Sequence, residues 1–364
     1  MPQQIGLFDM LQNRQKSWGG GSFKVVFAHT YEDIISTENL LEAWKEFRRG
    51  KRGKKDVQEF QADLMHNILH LYGELKAKTY KHGGYRHFRV SDPKPRDIHK
   101  ASVRDRLVHH ALYSKLYPFF DTTFISHSYS CRRNKGTHRA MKAFSGYIAE
   151  GSRNDTKTLW VLKCDIRKFF ASVDQGMLVK ILRRKIPDED VVRLVENVVQ
   201  SFHSTAPGKG LPLGNLTSQL LVNVYMNEFD QFIKHRVKAK QYVRYADDFV
   251  ILSRDKEWLE SILPNIRTFL QDELCLTLHP NKVSIDTIAS GIDFLGWIHF
   301  PDHRVLRTTT KRRMLRRVEG FEEDSPTVQS YLGMLSHGDA KKLSVAISGI
   351  TKAPTRGASR RSPP

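Results

Sequence analysis

Two apolar runs in this sequence carry carboxylates where an apolar run is least able to hold them. Residues 159–165 (LWVLKCD) read as a buried strand that ends in Asp165, and residues 241–252 (QYVRYADDFVIL) read as two strands hinged at Ala246-Asp247-Asp248. Desolvating a carboxylate is costly unless a cation or hydrogen-bond donors compensate. A divalent ion held by oxygen ligands is one such compensation. Two ions about 3.5–4 Å apart can clamp the attacking and leaving oxygens of an in-line phosphoryl displacement. Taken singly, each aspartate also has a plain reading: Ala-Asp-Asp is an acceptable hairpin tip, and an aspartate after a strand is often a cap.

Charge narrows the choice. Lys plus Arg outnumber Asp plus Glu by 59 to 39 over 364 residues, a formal +20. Such a surface concentrates polyanions, so nucleic acid is the first partner to consider and an anionic membrane surface the second. Cys131, Cys164 and Cys275 are sparse and unpaired in spacing, which argues against a disulfide framework or a structural zinc site. The start, MPQQIGLFDMLQ, lacks a signal-peptide pattern, and no apolar stretch approaches the roughly 18 residues of a membrane span. The expectation is a soluble cytoplasmic protein with no membrane partner.

Along the chain, residues 1–30 hold Gly19-Gly20-Gly21 and read as an arm. Leu40, Leu41, Trp44 and Phe47, then Phe60, Leu64, Ile68, Leu71 and Leu75, recur at helical spacing on either side of a basic connector at 48–55. That connector fits a solvated loop as well as a nucleic-acid contact. Residues 85–90 read as a strand ended by Pro93 and Pro95, and 102–118 as a helix stopped at Pro118. Helices are expected at 175–186, 188–203 (capped by Asp188), 216–238 and 255–273, with strands at 283–285 and 292–300. Lys311, Arg312, Arg313, Arg316 and Arg317 form a basic helical block, a helix near 328–335 follows, and the tail TKAPTRGASRRSPP reads as disordered. There is no internal repeat.

Taken together the acidic residues match a known pattern. Tyr245-Ala246-Asp247-Asp248 resembles the YxDD signature of reverse transcriptases. DIRKFF at 165–170, GLPLGNLTSQ at 210–219, LHPNKVSI at 278–285, GIDFLGW at 291–297 and SYSCRRNKGTHRAM at 128–141 resemble that family's other blocks, in its order, over roughly residues 85–300. The resemblance implies an α+β right-hand polymerase with fingers, an antiparallel-sheet palm and a helical thumb. Its divisions would be an N-terminal helical extension at 1–80, fingers and palm at 81–305, a thumb at 306–350 and a tail at 351–364.

The same resemblance implies roles. Asp165, Asp247 and Asp248, with the backbone carbonyl of Ile166, would hold two Mg²⁺ ions, with Mn²⁺ as a substitute. Phe170 would lie under the sugar of the incoming dNTP, with Phe169 in the core. Lys94 and Arg96 would hold the triphosphate, with Arg104 and Arg106 as competing candidates, and Lys282 would stand near its tail. Leu213 would border the nucleotide. Arg132, Arg133, Gly214, Gly296, Trp297, Arg312 and Arg316 would touch template or primer, Gly296-Trp297 as a primer grip. For Lys282 a solvated lysine in a turn, and for Trp297 plain core, are the alternatives.

Many relatives carry Gln where Leu213 stands. LPLG followed by GNLTSQ, together with SYLGMLSHGDAKKL at 330–343, resembles the enzymes of diversity-generating retroelements. These copy a template RNA with errors at adenines and feed the cDNA into a target gene. That resemblance implies template RNA, a DNA or RNA primer and dNTPs as partners, and a small basic pentameric accessory protein. A retron-type or phage-defence reverse transcriptase is the nearest alternative, and a non-catalytic RNA-binding protein with a polymerase fold is the alternative of another class.

Overall fold

The computed structural model describes residues 26–91, 95–204 and 206–351. The Gly19–Gly21 arm, Pro93, Lys94 and the tail beyond residue 351 lie outside them. The described residues open with four helices: α1 (Tyr31–Ile35), α2 (Thr37–Phe47), α3 (Lys55–Ala62) and α4 (Leu64–Lys76). Thr30 and Asp33 form a capping box at the start of α1, and Ser36 caps α2. The apolar stripe of α2 (Leu40, Ala43, Trp44, Phe47) is buried, against a hairpin-borne helix further on. That hairpin is β1 (Tyr85–Val90) with β2 (Arg96–Ala101), antiparallel from Tyr85↔Ala101 to Val90↔Arg96. It leads into α5 (Val103–Thr123).

Residues 96–101 form a strand where the sequence pattern assigns no element, and one expectation changes here. Pro118 lies inside α5 instead of ending it. Proline removes one helical hydrogen bond, but Leu112, Leu116 and Phe120 continue one buried face past it, and that burial outweighs the lost bond. The basic connector at 48–54 is a turn whose Lys51 Nζ donates to the Phe47 carbonyl at 2.8 Å.

The central unit follows: α6 (Thr137–Ser152), β3 (Trp160–Asp165), α7 (Phe169–Ser172), α8 (Gln175–Arg183), α9 (Glu189–Gln200), α10 (Leu216–Gln231), β4 (Gln241–Tyr245), β5 (Asp248–Ser253), α11 (Lys256–Leu274) and β6 (Ser284–Thr287). α10 runs on as a π-helical turn over Phe232–Arg236. The four strands form an antiparallel sheet in the order β4-β5-β3-β6. Side chains alternate across it. Leu162, Cys164, Tyr242, Phe249 and Ile251 join the core shared with α10 and α11. Val161, Val243, Val250 and Leu252 face the other way and are covered by Ala140, Phe144 and Ile148 of α6. Both faces being covered, β3 had to read as a continuous apolar run.

The expected strand at 292–300 is two, β7 (Ile292–Phe294) and β8 (Trp297–His299), split by a turn in which Leu295 and Gly296 have φ 54° and 89°. With β9 (Arg304–Leu306) they make a small antiparallel sheet. α12 (Thr308–Val318), α13 (Pro326–Leu335) and α14 (Lys341–Ile350) complete the chain. Their apolar faces (Met314, Val318, Val328, Leu335, Leu343, Ile347) gather on Trp297 and on Met141 of α6. Gly338 lies flat on the Trp297 ring, where any Cβ would collide with it.

Phe229 joins α10 to the sheet: it is fully buried, with its ring centroid 5.0 Å from Phe249 and 6.1 Å from Phe269. Phe229→Ala is expected to lower unfolding stability by about 3–5 kcal/mol, read as a lower urea midpoint with an unchanged slope. A loss below about 1 kcal/mol would show that the site collapses around the gap and that this contact does not hold the layers together.

Candidate active site

The β3–β5 register places Asp165 directly opposite Asp248, and the β4–β5 register places Tyr245 opposite the same Asp248. Asp247 sits in the two-residue turn between them, and its carbonyl accepts from the Ile166 amide at 3.1 Å. The three carboxylates therefore meet at one end of the sheet. Burial, then the nearby Asp165 charge, raises the Asp247 pKa, while Lys282 and Arg96 oppose this. Burial pushes Asp248 up to about 7, with Lys163 pulling it down and Asp165, Asp247 and Asp293 adding to the rise.

Asp248 Oδ1 is buried without a hydrogen-bond partner. A desolvated, unpartnered carboxylate oxygen beside two other carboxylates fits a hard divalent cation. Lys282 Nζ stands 2.9 Å from Asp165 Oδ1. Among the described residues no three His, Cys, Asp or Glu side chains form a ready metal cage. Mutual repulsion of the aspartates, relieved at Asp165 by the Lys282 ammonium, is sufficient reason for that openness.

A buried network lies behind the turn. Arg244 and Asp230 are both fully buried and paired at 2.6 Å. Arg244 Nε donates to Asp230 Oδ1 at 2.7 Å, Nη2 to Ser128 Oγ at 2.9 Å, and Nη1 to the Ala246 carbonyl at 3.0 Å. Tyr242 donates its hydroxyl to Asp230 Oδ1 at 2.7 Å. The backbone of Arg244 is also bridged to His127 and Tyr129, and Thr137, the first residue of α6, donates its hydroxyl to that of Tyr245 at 3.2 Å. Sequence reading passed over this network. Its signal was an arginine on the core side of a strand and an aspartate on the buried face of a helix.

A second group of residues lines the approach. Phe169 is buried and Phe170 half-buried, rings 5.7 Å apart. The Leu211 amide donates to the Phe170 carbonyl at 2.8 Å, and the His99 amide to the Leu213 carbonyl at 3.1 Å. Asn215 returns a bond to the His99 carbonyl at 2.8 Å. The strand β2 is thereby sewn to the 211–215 loop, close enough that a Cβ on Gly214 (φ 107°) would lie 2.9 Å from Ile98 Cγ2. Arg96 is exposed and acts electrostatically on Asp247. Its competitors are engaged elsewhere: Arg104 with Glu74 and Asp105, and Arg106 with Asp56 at 2.7 Å. Lys94 lies outside the described residues.

The remaining expected contacts divide. Arg132 does not face outward. Its side chain is 6% exposed and clamps Asp121 at 2.7 Å and the carbonyls of Ile125 and Ser128, so its hydrogen-bonding capacity is consumed by the loop it closes. Arg133 is exposed, its guanidinium 5.3 Å from the Tyr117 ring centre. Trp297 is buried among the C-terminal helices instead of presenting its ring. The Gly296 carbonyl accepts from the Arg307 amide at 3.2 Å, and Arg307 Nε reaches Asp293 Oδ1 at 3.0 Å. Arg312 and Arg316 lie on the exposed face of α12.

With this geometry in hand, comparison with known proteins is informative. The family described as Reverse transcriptase (RNA-dependent DNA polymerase) matches residues 89–299. Protein YkfC of Escherichia coli (strain K12) is 27% identical over 271 residues, covering 64% of this chain and 69% of that protein. The group II intron-encoded protein LtrA of Lactococcus lactis subsp. cremoris is 22% identical over 363 residues, covering 79% of this chain and 58% of that protein. This chain thus spans less than two thirds of LtrA. Among solved structures, apo telomerase from Candida tropicalis, truncated from its C-terminal domain, gives a TM-score of 0.46 at 10% identity over 67% of this chain and 60% of that one. The family match covers more than half of the sequence and contains all three carboxylates. This chain belongs to the reverse transcriptase family.

Proposed function

We propose that this protein copies a template RNA into cDNA by two-metal phosphoryl transfer at Asp165, Asp247 and Asp248. The observation that carries the reading is the pairing of Asp165 with Asp248 at a sheet end where Asp248 Oδ1 is buried without a partner. Mg²⁺ held there would supply Lewis-acid stabilisation of the attacking and departing oxygens. The chain's own residues do the rest. Arg96 anchors the triphosphate of the incoming nucleotide, and Lys282 exchanges Asp165 for the same anion. Phe170, packed under the 211–213 loop, blocks a ribose 2′-hydroxyl. Arg133, Arg312 and Arg316 track the nucleic-acid backbone through its phosphates.

The finer reading is an error-prone enzyme of a diversity-generating retroelement, supported by Leu213 in LPLG and by GNLTSQ. Leu213 is half-buried and its backbone is fixed by β2, so an aliphatic side chain replaces a hydrogen-bonding one at a rigid place. Sites that hydrogen-bond discriminate more strongly than apolar ones. The similarity to LtrA favours a second reading, an enzyme of the group II intron type.

cDNA synthesis on an RNA template with Mg²⁺ and four dNTPs, with all products sequenced, tests these readings. Product is expected from the natural protein and none from Asp247→Asn/Asp248→Asn. Substitutions concentrated at template adenines, and reduced by Leu213→Gln, would support the retroelement reading; uniform fidelity would move it to the intron type. No product from the natural protein on any template would remove the polymerase reading. Phe170→Val is expected to admit ribonucleotides, read as rNTP incorporation against dNTP; unchanged selectivity would remove Phe170 from that role.

The raised Asp248 pKa gives a metal-free prediction. Its folded value of about 7 exceeds the unfolded value of about 3.9, so the folded state binds the proton more tightly. Stability without metal should fall as pH rises from about 4 to about 7 and level off above, by at most about 4 kcal/mol. Asp248→Asn should flatten that slope and melt higher than the natural protein near pH 8 in chelator. Identical pH profiles for the two proteins would show that Asp248 is not desolvated.

A further inference from the structure

The turn that carries Asp247 and Asp248 is not held by its own sequence. Ala246 adopts φ 56°, a left-handed conformation that costs a residue with a Cβ about 1 kcal/mol or more. Neither glycine nor asparagine occupies the position to make it favourable. What meets the strained peptide is Arg244: its Nη1 donates to the Ala246 carbonyl at 3.0 Å. The guanidinium is held in place: Asp230 holds Nε and Nη2 at 2.7 and 2.6 Å, Ser128 also holds Nη2, and Nη1 has a second, longer bond to Asn223 Oδ1 at 3.4 Å. Asp230 is fixed in turn by the Tyr242 hydroxyl. All of these groups are on the α10 side of the sheet, whereas Asp165 and Asp248 project from the opposite side.

We propose that Arg244 is a positioning residue: anchored on Asp230 and Ser128, it clamps the Ala246 carbonyl and so sets the left-handed turn that presents Asp247 and Asp248 to the metal-binding end of the sheet. The clamp also joins segment 127–129, at the start of the SYSCRRNKGTHRAM block, to that turn. A shift of this segment is therefore transmitted to the carboxylates through the Arg244 fork as well as through the backbone bonds of Arg244 to His127 and Tyr129. Bidentate geometry is what selects arginine here; a lysine ammonium can satisfy Asp230 but not Ser128 and the carbonyl together. This inference rests on the polymerase reading of the site, since it assigns Arg244 a role toward the same metal-binding carboxylates.

The test uses the full chain. Arg244→Lys keeps the charge opposite Asp230 and removes the fork. Its folded fraction is measured by thermal melting, and rates are expressed per folded molecule. The expected result is a dNTP KM within about twofold of the natural protein and a kcat lower by on the order of tenfold or more, as for a misplacement of catalytic groups. Mn²⁺ affinity, titrated by electron paramagnetic resonance without turnover, should weaken about tenfold, the scale for loss of a supporting contact behind metal ligands. Adding Ala246→Gly to Arg244→Lys should recover part of both losses, because glycine adopts the turn unaided; a packing defect would gain nothing from that change. Should Arg244→Lys fail to fold, Ser128→Ala, which withdraws one anchor only, is expected to lower kcat and Mn²⁺ affinity in the same direction by a smaller factor. Unchanged kcat and Mn²⁺ affinity in the folded variant, or no recovery on adding Ala246→Gly, would overturn the proposal. A natural protein that binds Mn²⁺ yet makes no cDNA would instead count against the polymerase reading and leave the clamp to be judged by the Mn²⁺ titrations alone.

Discussion

The register between β3 and β5 is the constraint on which the rest depends. Because side chains alternate across a sheet, a slip of one residue would turn Asp165 and Asp248 into the core and bring Cys164 and Phe249 out. The slip is prevented from both sides. Leu162, Cys164, Phe249 and Ile251 are committed to the α10 and α11 side, and Val161, Val250 and Leu252 to α6. A sheet buried on two faces has one workable register, and here that register is the one that converges the acids. The cost of concentrating negative charge at the sheet end is borne by the core packing of the whole central unit.

That cost explains the neighbourhood. Lys282 reaches Asp165, Arg96 and Lys163 act on the other two aspartates, and Arg307 occupies Asp293. Each cation comes from a different part of the chain: the hairpin, β3, the loop before β6, and the entry to α12. The site is thus neutralised by elements that must all be in place together. The formal +20 of the whole chain is in this respect two things: a long-range field toward polyanions, and a few cations individually spent on the acids they face.

The sequence was most readable where periodicity and chemistry agreed. The aspartate-bearing strands, α11 and the basic α12 follow directly from patterning, whereas the convergence of Asp165 with Asp247 and Asp248 is implied by the family resemblance, since strand ends alone do not say which strands pair. What patterning missed was set by tertiary contact. β2 is a polar, mostly half-buried strand that exists because β1 pairs with it and because the 211–215 loop bonds to His99. α5 passes through Pro118 because its buried face continues. Arg132 is a loop clamp because Asp121, eleven residues earlier in the sequence, lies 2.7 Å from its guanidinium in space. The Arg244–Asp230 pair escaped notice because a basic residue next to a catalytic signature reads as part of the charged surface, whereas the alternation of β4 turns it inward.

The described N-terminal helices have a standing that their position in the sequence does not suggest. Tyr31 donates its amide to Asp188 Oδ2 at 2.7 Å and its hydroxyl to the Leu75 carbonyl at 2.7 Å. Asn39 reaches the Ala111 carbonyl at 3.2 Å, and Trp44, Phe47 and Leu71 belong to the same continuous core as Leu178, Val191 and Tyr225. No seam runs through that core near residue 80. The described helices before the hairpin therefore fill the same interior as the catalytic sheet. A chimera that grafted this catalytic centre onto another chain would have to carry the described N-terminal helices along with the sheet and with Lys282 and Arg307.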